Sequence, residues 1–253
     1  MKKKLKIEFC GLPGAGKSTL NSCCLTILRQ NGCSVLSREE MRENVLGKRS
    51  FGLIATTLGH LLPSWRRAFL GLPHGLDDWC RFATEFPAFN ALLFEVLSRQ
   101  AVESWRAKIL YAMIVTAYEH QLGRECDKSV LFDESFAQRC FSLFGYFQIG
   151  NLQDIVRYAH VMPQSAVVVL VATDSELCAQ RIRRRERLPV LFDYSRTDLE
   201  QCLANGALVL KNFCDALKKL GVRVLEIDGE GDINEKAEYL TEFLLPFVEN
   251  TKL

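Results

Sequence analysis

A three-layer α/β/α fold around a parallel sheet is predicted by three features of the sequence. Short apolar runs alternate with longer helical patterns, as in strand–helix–strand units. The run Ala166–Ala172 (Ala-Val-Val-Val-Leu-Val-Ala) is continuously apolar, which suits a strand covered on both faces. Near the amino end, an apolar run passes through a glycine-rich turn straight into a helical pattern.

Taken in order, Leu5–Cys10 reads as the first strand and about Lys17–Gln30 as a helix, ended by Asn31-Gly32. Ser34–Leu36, Ser129–Phe132, Ala166–Ala172 and Val222–Ile227 are the remaining strands, and about Phe141–His160, Ser175–Arg187, Leu199–Leu220 and Asn234–Val248 the later helices. The segment between the second and third strands is mostly helical and carries Trp65, Trp79, Phe82, Phe86, Phe89 and Trp105. Both its ends return to the same sheet, so residues 45–127 read as a helical insertion in one 1–253 domain. It lies over the carboxyl edge, where open α/β sheets bind ligands.

Composition narrows the class. The 253 residues are 48% hydrophobic and 25% charged, a globular profile. Lys+Arg 32 against Asp+Glu 30 argues against a generally basic nucleic-acid binder. No apolar run reaches membrane-spanning length, and the run after Met-Lys-Lys-Lys-Leu-Lys is too short and polar for a signal core. Ten cysteines without a Cys-x-x-Cys pair fit buried thiols in a reducing cytoplasm.

The segment Gly11-Leu12-Pro13-Gly14-Ala15-Gly16-Lys17-Ser18 fits G-x-x-x-x-G-K-[ST] in its required strand–turn–helix setting. Glycines let backbone N–H groups turn inward around phosphate oxygens, and the following helix adds its positive end. Lys17 is expected to reach the β- and γ-phosphates of ATP and the Ser18 hydroxyl to bind Mg²⁺, with Thr19 backing the turn. Val130-Leu131-Phe132-Asp133-Glu134-Ser135 is an apolar strand ending in two carboxylates. Adjacent strand residues point to opposite faces. Asp133 is therefore the site-facing acid, on Mg²⁺ or on an attacking hydroxyl, and Glu134 a substrate contact.

Arg181-Ile-Arg183-Arg184-Arg185-Glu186-Arg187 gathers five arginines. Their planar forks match phosphate oxygens, so 181–197 reads as a lid, with Arg181, Arg184 and Arg185 as phosphate or transition-state contacts. A solvated basic helix end is the plainer reading. Trp79, Phe82, Phe86 and Phe89 have helical spacing, which usually means core. Arg81 and Glu85 between them leave a face on which Phe82 stacks against an acceptor ring. Histidines 60, 74, 120 and 160 are scattered and show no metal-ligand spacing.

With these elements in hand, the chain resembles P-loop kinases of the nucleoside/nucleotide kinase group, closest to thymidylate and deoxynucleoside kinases. The resemblance runs through Gly11–Ser18, Asp133–Ser135, the strand leading to Asp174–Arg181, the arginine-rich lid and the last strand ending at Asp228-Gly229. It implies a five-stranded parallel sheet of order 2-3-1-4-5, ATP on the loop, lid arginines on its phosphates, an acceptor held by the insertion, and a possible homodimer. It also makes Glu39, just after the second strand, the candidate general base; Arg38–Glu43 reads equally as a salt-bridged helix start. Cys10 stands where many of these kinases have an acid, and Glu134 where they have an arginine that grips the acceptor's 5′ end. The leading expectation is a small-molecule kinase with no membrane and no nucleic-acid partner. A hydrolytic switch, or a nucleotide-binding module that docks a partner through the insertion, is the alternative. No Asn-Lys-x-Asp or Leu-Ser-Gly-Gly-Gln signature is present.

Overall fold

The computed structural model describes residues 4–48, 72–145, 151–184 and 198–248. Five parallel strands, β1 (Lys6–Gly11), β2 (Val35–Ser37), β3 (Ser129–Phe132), β4 (Val167–Ala172) and β5 (Arg223–Asp228), form one sheet in the order β2-β3-β1-β4-β5. This is the expected order, and each of the four later strands begins within a residue of its expected start.

The register shapes the carboxyl edge of the sheet. β1 pairs with β4 from Ile7 through Gly11, but with β3 only from Lys6 through Glu8. β3 therefore ends while β1 continues, and a crevice opens between them at the carboxyl edge. Ligands of doubly wound sheets bind at such switch points.

Between the strands run α1 (Lys17–Gln30), α2 (Arg38–Lys48), α3 (Leu72–Glu85), α4 (Pro87–Ser98), α5 (Glu103–Glu125), α6 (Phe136–Cys140), α7 (Leu152–Val161), α8 (Ser175–Arg183), α9 (Leu199–Lys219) and α10 (Ile233–Val248). Leu20, Cys24 and Leu28 of α1, with Ala237, Leu240 and Leu244 of α10, are buried in the same core as Ile7, Phe9 and Val167–Val169. Asn151, Asp174 and Asp198 cap α7, α8 and α9 through their side-chain oxygens, each satisfying otherwise orphaned N–H groups. Among the described residues, no helix is long and apolar enough to cross a membrane.

One expected helix is corrected. The pattern over Phe141–His160 is not continuous: Phe141–Gly145 is a π-helical turn that extends α6, and a new helix starts at Leu152 behind the Asn151 cap. The wider turn seats Phe141 against Gly206 of α9, where a Cβ would lie 2.1 Å from the ring.

The central strand is less apolar than its neighbours. On one face it carries Lys6, Glu8 and Cys10. Glu8 is buried and accepts hydrogen bonds from the Ala137 amide (2.7 Å) and the Ser165 hydroxyl (2.6 Å); burial raises its carboxyl pKa. Lys6 Nζ lies 3.0 Å from His120 Nδ1 and 3.2 Å from the His120 carbonyl. Burial lowers Lys6 to about 8, and burial with the Lys6 charge lowers His120 to about 3.

A histidine depressed in the folded state binds its proton more tightly once unfolded. Its destabilising effect is absent above the unfolded value near 6.5 and grows as pH falls toward 3. The cost from this ring builds progressively across that window. His120→Asn, which keeps an acceptor for Lys6, is expected to lose less thermal stability than the parent between pH 6.5 and pH 4. Parallel acid slopes in the melting midpoints would show the ring does not contribute.

Candidate phosphate-binding and transfer site

The glycine-rich turn closes with an Ala15 N–H to Leu12 carbonyl bond of 3.1 Å. Gly14 (φ 86°) and Gly16 (φ 92°) are left-handed, a region that penalises other residues by roughly 1–2 kcal/mol. At Gly14 space forbids a side chain as well, since a Cβ would sit 2.8 Å from the Cys178 carbonyl. At Gly16 a Cβ would meet nothing within 4 Å, so this side of the loop is open. Gly16 is also the N-cap of α1. That helix has no side-chain cap and no acid in its first turn, so its positive end is left for an external anion.

The loop's carbonyls are held by protein donors. Lys17 Nζ donates to Gly11 O (3.0 Å) and Leu12 O (2.8 Å). Thr173 Oγ1 donates to Ala15 O (3.1 Å). Arg181 Nη1 donates to Gly14 O (3.2 Å) and reaches Gly229 O at 3.4 Å. Arg181, expected on ATP phosphates, thus braces the loop backbone itself. Pro13 is half-buried in the turn, while Ser18 and Thr19 stand exposed on the first turn of α1.

Across the crevice, Asp133 follows β3 with its side chain 30% exposed and Arg38 Nη1 at 3.6 Å. Arg38 begins α2 directly after β2, so the ends of β2 and β3 bring the two together. Arg38 Nε also donates to Glu119 Oε1 of α5 at 2.7 Å, and Arg42 pairs with the same carboxylate, which is only 1% exposed. A buried carboxylate is tolerable only when paired in this way. Burial and neighbouring Arg38 lower Arg42 from its ordinary value. Glu40 forms a reciprocal cap with Ser37 and pairs with Arg29, so the salt-bridged start holds for Glu40. Glu39 is exposed in the first turn of α2.

Phe82 and Glu85 are not brought to this edge, and Glu134 and Arg183 are paired within the protein. Phe82 is fully buried, stacked on Phe136 at 5.3 Å and edge-on to Phe89; it is core, not a free stacking platform. Glu85 pairs with Arg124 and acts electrostatically on Lys6 at the start of β1. That is five residues of strand, about 16 Å, from Gly11, so Glu85 lies at the wrong edge for a substrate contact. Arg81, one residue before Phe82, is exposed. Glu134 is met by Arg139 Nη2 at 3.5 Å, and Arg139 Nε donates to Thr116 Oγ1 at 2.9 Å. Arg183 pairs with Glu200 and Arg184 is exposed at the end of α8. Arg185 and the rest of the lid to 197, like residues 49–71 of the insertion, lie outside the described residues.

Among the described residues, no group of three or more His, Cys, Asp or Glu gathers to hold a metal. A hydroxyl at the helix start, Ser18, and a carboxylate at the end of the neighbouring strand β3, Asp133, remain. That hard-oxygen set suits Mg²⁺, which also takes phosphate oxygens and waters.

Glu119 and Gln138 are missing from the sequence-based site. Their partners, Arg38 and Gly11, lie 81 and 127 residues away, and no local pattern marks them.

Sheet order and loop define the fold as that of the P-loop kinases. No protein-family model and no curated protein sequence matches the chain. Solved structures do match in fold. Deoxyadenosine kinase from M. mycoides with products dCMP and dCDP superposes with a TM-score of 0.51 at 14% identity, covering 96% of this chain and 100% of that one. The same enzyme with dCTP gives 0.51 at 13% identity over 96% and 100%. With dATP it gives 0.52 at 14% identity over 95% and 98%.

Proposed function

We propose that this chain is a phosphotransferase, moving the γ-phosphoryl group of ATP to a hydroxyl or phosphate of a nucleoside- or nucleotide-like acceptor. The observation that carries this reading is the loop Gly11–Ser18, with Lys17 folded onto its carbonyls, across a crevice from Asp133 and Arg38. The deoxyadenosine kinase fold supports it.

Lys17 exchanges the Gly11 and Leu12 carbonyls for β- and γ-phosphate oxygens. The loop amides and the start of α1 hold the remaining oxygens, an arrangement that acts by positioning and charge stabilisation. For a hydroxyl acceptor, Asp133 takes the proton. The freed oxygen bonds to the γ-phosphorus as its bond to the bridging oxygen breaks, and ADP leaves. Magnesium, when bound, neutralises phosphate charge, and Ser18 and Asp133 are the residues that would hold it. Arg38 offers positive charge beside Asp133 that Glu134 does not, and so takes over the grip on the acceptor.

Purified protein with Mg·ATP and a panel of deoxynucleosides and deoxynucleoside monophosphates is expected to release ADP only when an acceptor is present, with a phosphorylated product seen by mass. Rapid hydrolysis without acceptor, abolished by Lys17→Ala, would instead establish the hydrolytic switch.

A further inference from the structure

The phosphate loop is fastened at its entry by a residue no motif contains. Gly11 is the last residue of β1. Its β4 side is ordered by the register with Val171, and a Cβ there would lie 2.6 Å from the Val171 carbonyl. On the other side β3 has stopped pairing three residues earlier, at Glu8 with Phe132. The Gly11 N–H finds its acceptor in the buried side chain of Gln138, whose Oε1 lies at 3.0 Å. The amide of Gln138 thus stands in for the strand carbonyl that the crevice removes.

Gln138 is itself tightly placed. It sits in α6, which starts three residues after Asp133. The two residues before it are fixed to the core: the Ala137 amide donates to Glu8 Oε2 at 2.7 Å, and the Phe136 carbonyl accepts from Tyr158 Oη at 2.9 Å. A short, braced segment therefore links the acid at the end of β3 to the first glycine of the loop. The carbonyl of Gly11 accepts from Lys17 Nζ. That contact is surrendered when Lys17 turns to phosphate, whereas the Gln138 bond involves no group that must move.

We infer that Gln138 is a positioning residue: its side-chain carbonyl fixes the entry of the phosphate loop and the spacing between the loop and Asp133. The inference rests on reading that loop as a triphosphate site. An unmet buried amide is costly, and without Gln138 the loop entry relaxes toward another acceptor, taking the amides out of the phosphate geometry.

The test uses Gln138→Met, similar in length but without a strong acceptor. Two readouts are needed, hydrogen–deuterium exchange of the loop in the nucleotide-free protein and binding of mant-ATP with Mg²⁺. The expected result is faster exchange confined to the peptide around residues 10–16, and mant-ATP affinity about tenfold weaker. Unchanged loop exchange in a folded Gln138→Met protein overturns the inference, as does mant-ATP affinity within twofold of the parent. If the parent itself fails to bind mant-ATP, the triphosphate reading fails, while the exchange comparison still decides the role of Gln138 at Gly11. Should Gln138→Met not fold, Gln138→Asn, polar but too short to reach Gly11, is read in the same way.

Discussion

Lys17→Ala is expected to lower acceptor-dependent ADP release by about 10²–10³-fold at saturating ATP, the loss typical of removing one preorganised donor from developing negative charge. In the resting protein the ammonium already lies against the loop, bonded to the Gly11 and Leu12 carbonyls at 3.0 and 2.8 Å. Its substitution therefore has a second, smaller consequence, since two buried carbonyls lose a charged donor. That costs about 1–3 kcal/mol of stability and appears as a lower melting midpoint without nucleotide. The two effects separate cleanly. Rates measured well below the midpoint report transfer, and melting without ATP reports the resting contact. A variant that melts earlier yet transfers at the parental rate would mean that Lys17 is only a structural clasp.

The second large effect is at Asp133. Asp133→Asn keeps the shape of the side chain and removes its ability to take a proton, and is expected to reduce turnover about 10²–10⁴-fold with a hydroxyl acceptor. Glu119 continues to hold Arg38 through its 2.7 Å bond, so the fold around the site is preserved. Glu39→Gln is the comparison. Glu39 is exposed in the first turn of α2, and its substitution is expected to leave turnover within about twofold. A large loss at Glu39 with little change at Asp133 would reverse the assignment of the base. With a phosphate acceptor, which needs no proton removed, the loss that remains in Asp133→Asn reports the carboxylate's part in holding Mg²⁺.

What the sequence made legible, and what it hid, divides by range of interaction. The glycine loop, the strand ends and the helix after Gly16 depend on neighbours a few residues away, and their pattern carries them. The order of the sheet came with a resemblance and agrees with the hydrogen-bonded register. Phe82 and Glu85 share a helix and a spacing that suits either a core or a binding face. The pairing of Glu85 with Arg124 of α5, and the packing of Phe82 and Phe86 on His120, show that this helix end lies beside Lys6. Nothing local marks Glu8, since its partners, Ala137 and Ser165, lie far along the chain. The π-helical turn at Phe141–Gly145 was hidden because Phe141, Leu143 and Phe144 read the same whether the helix there is regular or wide.

The carboxyl of Glu8 has a consequence for how the chain matures. Its two partners are 129 and 157 residues downstream, and both flanking strands of β1 come from beyond residue 128. A ribosome-bound chain therefore emerges with this middle strand before both its flanking strands and its sealing groups. Such sequence-distant pairing slows folding and leaves an unpaired edge in the interim. The glycine loop, although synthesised before both strands that flank β1, takes its working shape only after those strands and Ser165 have followed it.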